Sequence, residues 1–230
     1  MKYNEKSSLG KNQNFISATV DQINDYTEKV IKGLIFCILP PCPRCGLEPL
    51  YFNRHEARKR KFYVVFDQIV KTVQGLLIRW KCPGCKKTFT QYPDFALPYK
   101  RYTLPTIMEF CGRYTECEKA TYRKVRIDNL LGYEDSEKQM EHTTIHRWIC
   151  TLGDLQMTSA KAVDLILQAN CLSTICRDMA KLSINPKKYQ TPERKTLLER
   201  CRRLFRIEAL FLVIFKISIF PKLATTCRFT

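Results

Sequence analysis

Two pairs of cysteines constrain this chain more than any other feature. Cys42-Pro-Arg-Cys45 and Cys82-Pro-Gly-Cys85 each place two thiols in a tight turn, with a proline after the first cysteine. Two such turns supply four thiolates, the tetrahedral ligand set that Zn²⁺ prefers in closed structural sites. Redox pairs are the alternative, but a thioredoxin-type motif has one such pair beside a βαβ pattern. The spacing therefore predicts one structural zinc ion held by Cys42, Cys45, Cys82 and Cys85.

The chain between and after these pairs is predicted to form a small antiparallel sheet. Residues 62–66 and 76–80 are rich in β-branched and aromatic side chains, and residues 88–92 alternate between apolar and polar. The 36 residues that separate the two cysteine pairs fit a hairpin. We expect this hairpin to carry the basic run 58–61 at or near its tip.

The charge of the chain points to a polyanionic partner. Lys and Arg number 39 against 22 Asp and Glu, a net charge of +17, which favours association with nucleic acid but says little about fold. Residues 42–103 alone hold thirteen bases and four acids, a net of +9. Aromatic side chains interleave with these bases at Trp80, Phe89 and Tyr92, a combination that suits phosphate contact and base stacking. A merely solvated charged face is the alternative. The candidate DNA contacts in this block are Arg58, Lys59, Arg60, Lys61, Arg79, Lys81, Lys86 and Lys87.

From residue 104 onward the pattern becomes helical, and one short segment resembles a DNA-reading helix. Its apolar residues recur at i, i+3, i+4 and i+7 and form one stripe: Ile145, Trp148, Ile149 and Leu152. A helix anchored in this way can present its other face to the major groove. The candidate base contacts on that face are Thr143, Thr144, His146 and Arg147.

Residues 118–131 would supply the supporting helix of a helix-turn-helix. Arg123, Lys124 and Arg126 would then lie near phosphates. An ordinary surface helix is the alternative for the reading segment, because residues 132–140 exceed the usual turn of about 3–4 residues.

Helices are also predicted at both ends of the chain. Apolar residues at helical spacing, from Val20 to Leu34, predict a first helix that stops before Leu39-Pro40. Residues 158–182 predict another, and Thr191-Pro192-Glu193 predicts the start of a last helix that runs to Phe220. These last two would form a C-terminal helical hairpin.

Neither membrane insertion nor secretion is expected. The most apolar stretch, residues 204–220, is interrupted by Arg206, Glu208 and Lys216, and charges in mid-helix cost about 2.5–3.5 kcal/mol each on insertion scales. The first ten residues are polar and lack the features of a cleavable signal. We therefore expect a cytoplasmic protein, in which the remaining eight cysteines are ordinary buried apolar residues.

Several segments together resemble the N-terminal regions of bacterial insertion-sequence transposases, and a group of short bacterial zinc-ribbon proteins related to them. These segments are the two cysteine turns, the strings Arg79-Trp80-Lys81 and Lys86-Lys87-Thr88-Phe89-Thr90, residues 97–102 and residues 144–148. The resemblance covers residues 40–155 and implies a zinc ribbon and a helix-turn-helix that bind DNA. Full transposases continue into a nuclease-like domain with three acidic metal ligands, which the helical last 75 residues do not resemble.

The sequence thus predicts an α+β chain in four parts. These are an N-terminal helix or extension at 1–39, a zinc ribbon at 40–103, a helix-turn-helix-like segment at 104–156 and the helical hairpin at 157–230. The predicted function is zinc-dependent, non-catalytic binding of double-stranded DNA in the nucleoid by a transposon-related protein. A truncated or degenerate transposase, a transcriptional regulator, and a ribbon that contacts protein or RNA are the alternatives. A homodimer or a separate transposase subunit is a possible partner.

Overall fold

A computed structural model describes residues 9–66, 69–116, 120–125, 140–169 and 191–220. Their contacts divide them into two compact units. The first contains the described residues through Thr106, and the second contains those from Ile107 onward.

The first unit is a three-stranded antiparallel sheet covered by a helix. Helix α1 spans Leu9–Ile31, and a single 3₁₀ turn spans Pro49–Tyr51. The strands are β1 (Asn53–Phe66), β2 (Ile69–Lys81) and β3 (Thr88–Gln91), in the order β1-β2-β3. This confirms the predicted small antiparallel sheet beside the cysteines, although the first two strands are longer than predicted.

The basic run does not lie at the hairpin tip, so that part of the prediction was wrong. The register pairs Arg58 with Leu77 and Lys61 with Gln74, and the ladder continues to the pair Phe66 and Ile69. The run therefore lies in the middle of β1, because the apolar residues that follow it extend the strand. Since β1 is an outer strand of the sheet, one of its backbone edges has no neighbouring strand in the described sheet.

Helix α1 ends earlier than the apolar spacing predicted. Gly33 adopts a left-handed φ of 74°, and the N–H groups of Gly33 and Leu34 donate to the carbonyls of Val30 and Lys29. These two bonds form a Schellman motif, a common way to close a helix. The guanidinium of Arg54 also donates to the Val30 carbonyl at 2.6 Å. Leu34, predicted on the helical stripe, instead lies after the helix and is exposed.

The sheet is buried on both faces near the hairpin stem. Ile78 and Trp80 of β2 pack with Val30 of α1 in one cluster, which also contains Cys42 and Cys82. Leu77, one residue away and so on the opposite face of the strand, packs in a second cluster. That cluster contains Ile23, Phe62, Val64, Phe95 and Ala96. The cysteine turns are thus built into the core of the first unit.

The second unit is helical. Its helices are α2 (Leu104–Glu116, whose first turn belongs to the first unit), α3 (Tyr122–Val125), α4 (His142–Gly153), α5 (Gln156–Ala169) and α6 (Pro192–Phe215). Helix α6 packs against α4 and α5. Helices α4 and α6 lie close together at Gly153, where an added Cβ would be 2.6 Å from the Leu197 side chain.

The last helix begins as predicted but ends sooner. The hydroxyl of Thr191 accepts from the Arg194 N–H at 3.3 Å, and Pro192 occupies the first turn. The helix was expected to reach Phe220, but it stops at Phe215, because Lys216 adopts a left-handed φ of 59° and its N–H caps the Leu212 carbonyl. Residues 170–182 of the predicted hairpin lie outside the described residues.

Among the described helices, none combines the length and the apolar character that crossing a membrane requires.

Candidate metal centre and basic surface

The two cysteine turns have the same backbone hydrogen bonds. In the first, the N–H of Cys42 donates to the Leu47 carbonyl at 2.8 Å, and the N–H of Gly46 donates to the Cys42 carbonyl at 2.8 Å. In the second, the corresponding bonds join Cys82 to Lys87 at 2.9 Å and Lys86 to Cys82 at 3.0 Å. Two segments separated by a long hairpin therefore fold into equivalent knuckles.

Each knuckle closes through a left-handed residue directly after its second cysteine. Gly46 has φ 71° and Lys86 has φ 62°. Glycine adopts this conformation at no steric cost, whereas an L-residue loses roughly 1–2 kcal/mol there. The turn geometry thus accounts for the glycine of the first knuckle and places a strained lysine in the second.

The knuckles bring all four predicted ligands together. The four Sγ atoms lie within 4.8 Å of one another, with Cys42 to Cys85 at 3.4 Å and Cys45 to Cys82 at 3.5 Å. A tetrahedron with zinc–sulfur bonds of about 2.3 Å has edges of roughly 3.8 Å. The donor set and its spacing therefore fit a metal ion, and no other such group of three or more Cys, His, Asp or Glu occurs among the residues that the structure describes.

The surroundings of Cys42 and Cys45 shift the pKa values of the two thiols in opposite directions. Burial raises the pKa of Cys42, but the N–H groups of Arg44 and Cys45, together with the neighbouring thiols, lower it to about 7. The Leu47 N–H lowers the pKa of Cys45, but the Cys82 sulfur and burial raise it to about 11. The N–H donors at Cys42 stabilise a negatively charged sulfur, which is also the form that binds a metal.

The equivalent knuckles allow a paired stability test. Gly46→Ala should destabilise the metal-loaded protein by about 1–2 kcal/mol, because alanine strains the left-handed backbone. No other atom lies within 4 Å of the position its Cβ would take, so backbone strain is the whole effect. Lys86→Gly should stabilise it by up to about 1 kcal/mol. Denaturant unfolding monitored by fluorescence measures both.

Lys86→Ala is the matched control, since it removes the lysine side chain but keeps a left-handed L-residue. Its stability should stay near that of the unaltered protein. If Lys86→Ala stabilised as much as Lys86→Gly, the side chain and not the backbone would be the source of the effect.

Some of the predicted DNA contacts of the first unit are exposed to solvent, and others form hydrogen bonds within the protein. Arg58, Lys59 and Lys61 on β1 are exposed, as are Lys86 and Lys87 of the second knuckle. Lys81 is half-buried. Arg58 lies on the opposite face of β1 from Lys59 and Lys61. The exposed residues are together called the basic surface here: Arg58, Lys59, Lys61, Lys86 and Lys87.

Two arginines of the predicted set are held by internal contacts. Arg79 donates to Glu56 Oε1 at 2.7 Å and to the Thr88 hydroxyl at 2.5 Å. Arg60 donates to the Lys100 carbonyl at 2.8 Å and lies 5.5 Å from the centre of the Tyr92 ring. Arg79 therefore links β2 to both neighbouring strands, and Arg60 links β1 to the segment at Lys100.

The aromatic residues expected to interleave with the bases are buried or half-buried. Trp80 is buried in the cluster that contains Cys42 and Cys82. Phe89 stacks on Phe52 with ring centres 5.6 Å apart, and Tyr92 packs against the second cluster. The position of Trp80 therefore does not fit base stacking, whereas Phe89 and Tyr92 are each covered only in part.

Helix α4 carries the predicted apolar stripe. Ile145, Trp148, Ile149 and Leu152 are all buried. On the other side, Thr143, His146 and Arg147 are exposed and Thr144 is half-buried. In α3, Arg123 and Lys124 are exposed. Arg126 and the rest of the predicted supporting helix beyond Val125 lie outside the described residues.

His146 makes structural contacts that the sequence did not reveal. Its ring meets that of Tyr122 edge-on, with centres 5.6 Å apart, and its Nδ1 lies 3.8 Å from the Cys150 sulfur. Burial and the positive charges of Arg194 and Arg147 lower the pKa of His146. The imidazole is therefore neutral near pH 7, and of the predicted base contacts on α4, Arg147 carries the positive charge.

Four of the remaining cysteines fall within the described residues. Cys111 and Cys201 are fully buried, as predicted for apolar packing, and burial raises the pKa of Cys111. Cys37 and Cys150 are half-buried. The other four, Cys117, Cys171, Cys176 and Cys227, lie outside the described residues.

Residues 42–148 match the model of a family described as a domain of unknown function (DUF6431). The matched segment begins at Cys42, the first of the four cysteines, and ends at Trp148 in α4. It therefore takes in both the sulfur cluster and most of the α4 face. No curated protein and no solved structure matches the chain.

Proposed function

We propose that this chain is a zinc-dependent, non-catalytic DNA-binding protein of the transposon-related type. The observation that carries the proposal is the convergence of four cysteine sulfurs from two equivalent knuckles, next to a strand that exposes Arg58, Lys59 and Lys61. A small sheet whose outer strand exposes several positive side chains suits contact with a phosphate backbone.

Zinc is the ion that this donor set favours. Four thiolates are soft ligands, and a tetrahedral sulfur site is typical of Zn²⁺ or of iron–sulfur chemistry. Such a site leaves no open position for water or substrate, so its role is structural. Holding Cys42 and Cys82 inside one core cluster, the ion would fix the base of the hairpin that carries the basic surface.

The basic surface would bind the phosphates of duplex DNA. Arg58 forms an ion pair with Glu56 at 3.4 Å, but both groups are solvent-exposed, and such pairs contribute little. Arg58 can therefore turn to a phosphate. Helix α4 would supply base contacts through Arg147, with Thr143 and Thr144 beside it.

Salt dependence tests the basic surface. We expect the affinity of the zinc-loaded protein for duplex DNA to fall steeply with salt, since each neutralised phosphate contributes roughly −0.9 to the log–log slope. The triple variant Arg58→Ala, Lys59→Ala, Lys61→Ala should flatten the slope by about 2–3 units. Arg60 is left unchanged because it holds the carbonyl of Lys100.

The double variant Lys29→Ala, Lys32→Ala is the charge control, since Lys29 in the last turn of α1 and Lys32 directly after the helix are both exposed. It should leave the slope unchanged. Charged side chains on an outer strand also keep that edge from pairing with another sheet. If this were their only role, the triple variant would self-associate and its DNA slope would match that of the unaltered protein.

A further inference from the structure

One exposed tyrosine lies at the corner of a tight turn that would ordinarily hold glycine. The N–H of Lys100 donates to the Leu97 carbonyl at 3.2 Å and closes a four-residue turn. Pro98 occupies its second position, and Tyr99 at the third has a left-handed φ of 61°. These features define a type II turn, whose third position favours glycine or asparagine.

Packing does not explain the tyrosine. An L-residue in this conformation is strained by comparison with glycine, and a strained side chain commonly gains its place by burial or by a specific contact. The side chain of Tyr99 is 84 % exposed. The ring therefore makes too little contact with the rest of the fold to offset the strain of the turn.

The turn is anchored to β1 through the residues that follow Tyr99. Arg60 donates to the Lys100 carbonyl at 2.8 Å. The Tyr63 N–H donates to the Arg101 carbonyl at 2.8 Å, and the Thr103 N–H donates to the Tyr63 carbonyl at 3.1 Å. These bonds to β1 hold the turn in one place, so the tyrosine ring is displayed from a fixed support.

The setting of the ring is positively charged. Lys100 and Arg101 follow it directly, and Arg101 is exposed. Arg58 is exposed on β1 and lies on the same face of the strand as Arg60, which binds the Lys100 carbonyl. A flat aromatic surface next to several cations combines the two contacts that single-stranded nucleic acids make with proteins, stacking of a base and neutralisation of phosphates.

We propose that Tyr99 is a stacking platform for an unpaired DNA base, and that the first unit binds single-stranded DNA next to the basic surface. This inference rests on the proposed function and names the class of ligand that would bind at this turn, single-stranded DNA. An unpaired base has a free face that can lie on the ring, whereas bases within a duplex are already stacked on both faces. The ligand is therefore a single strand or a frayed or displaced segment of duplex.

The test compares two fluorescent probes, a short oligothymidine strand and a blunt duplex, on zinc-loaded full-length protein at low salt. Tyr99→Gly should weaken binding of the single strand by roughly 5- to 150-fold, which corresponds to about 1–3 kcal/mol per stacked base. It should leave duplex affinity unchanged. Its melting temperature should equal or exceed that of the unaltered protein, because glycine relieves the strained turn.

Two control variants separate the ring from the backbone. Tyr99→Phe keeps the ring and should keep single-strand affinity. Lys216→Gly makes the same backbone change at another left-handed residue, in the second unit, and should leave both affinities unchanged.

The inference is overturned if Tyr99→Gly binds the single strand as tightly as the unaltered protein does, or loses affinity equally for both probes. It is also overturned if the unaltered protein binds the duplex but not the single strand. Binding of neither probe would instead remove the proposed function itself, and this inference with it.

Discussion

Replacing Cys82 by serine should abolish metal binding and unfold the first unit. Cys82 is fully buried in the cluster that contains Trp80 and Cys42, and serine would leave three thiolates and a buried hydroxyl there. Structural zinc sites contribute about 10–16 kcal/mol of binding free energy that is coupled to folding. This is as large as the usual total stability of a domain, about 5–15 kcal/mol. Loss of the ion should therefore be enough to unfold the first unit.

The two tryptophans make this result measurable in the full chain. Trp80 lies in the first unit and Trp148 in the second, so a Trp148→Phe background reports on the first unit alone. In that background, purified protein should contain one zinc ion per chain by elemental analysis. Adding a chelator, or introducing Cys82→Ser, should shift the emission of Trp80 towards that of exposed indole.

Cys37→Ser is the matched control. Cys37 packs against the same cluster but is not one of the four converging cysteines, so this variant should keep one zinc ion and a buried Trp80. The zinc proposal fails if protein purified without chelator holds almost no metal while Trp80 stays buried. It also fails if both serine variants behave alike.

The ligands could be predicted from the sequence because each knuckle is a local structure. Two cysteines with two residues between them define their own turn. Gly46 suits the left-handed position that closes the first turn. The pairing of the two knuckles was also predictable, since four thiolates are needed to complete one tetrahedral site. Their distance along the chain did not matter once a hairpin joined them.

The length of the hairpin was less predictable because strand pairing is not local. Residues 58–61 are charged and have weak strand propensity, yet they pair with Leu77 to Gln74 across the ladder. Propensity in strands reflects the neighbours across the sheet as much as the residue itself. The apolar residues 62–66, which follow the run, and the ladder to β2 extend the strand through the charged residues.

Helix ends and the strained turn were missed for a related reason. Lys216 ends α6 and Tyr99 occupies a turn position that favours glycine, both with positive φ. Neither residue type signals this conformation, since left-handed backbone is usual only for glycine and asparagine. At Tyr99 the conformation depends on hydrogen bonds to β1, which are far away in sequence.

The apolar stripe of α4 was predicted correctly because its period is local, and it yields a test that separates folding from DNA reading. Trp148 is 3 % exposed, whereas its neighbour Arg147 is exposed. Trp148→Ala should destabilise the second unit by about 3–5 kcal/mol, because it removes a large core side chain and leaves a cavity. Thermal unfolding followed by helical circular dichroism measures this loss.

Arg147→Ala should behave in the opposite way. Its melting temperature should remain unchanged, while affinity for a preferred site selected from random DNA should fall by about 1–3 kcal/mol, with little change on other sequences. Equal losses on both kinds of DNA would make Arg147 a phosphate contact and place base reading elsewhere. If the folded Arg147→Ala protein binds every sequence as before, α4 does not enter the major groove, and DNA binding is left to the first unit and its basic surface.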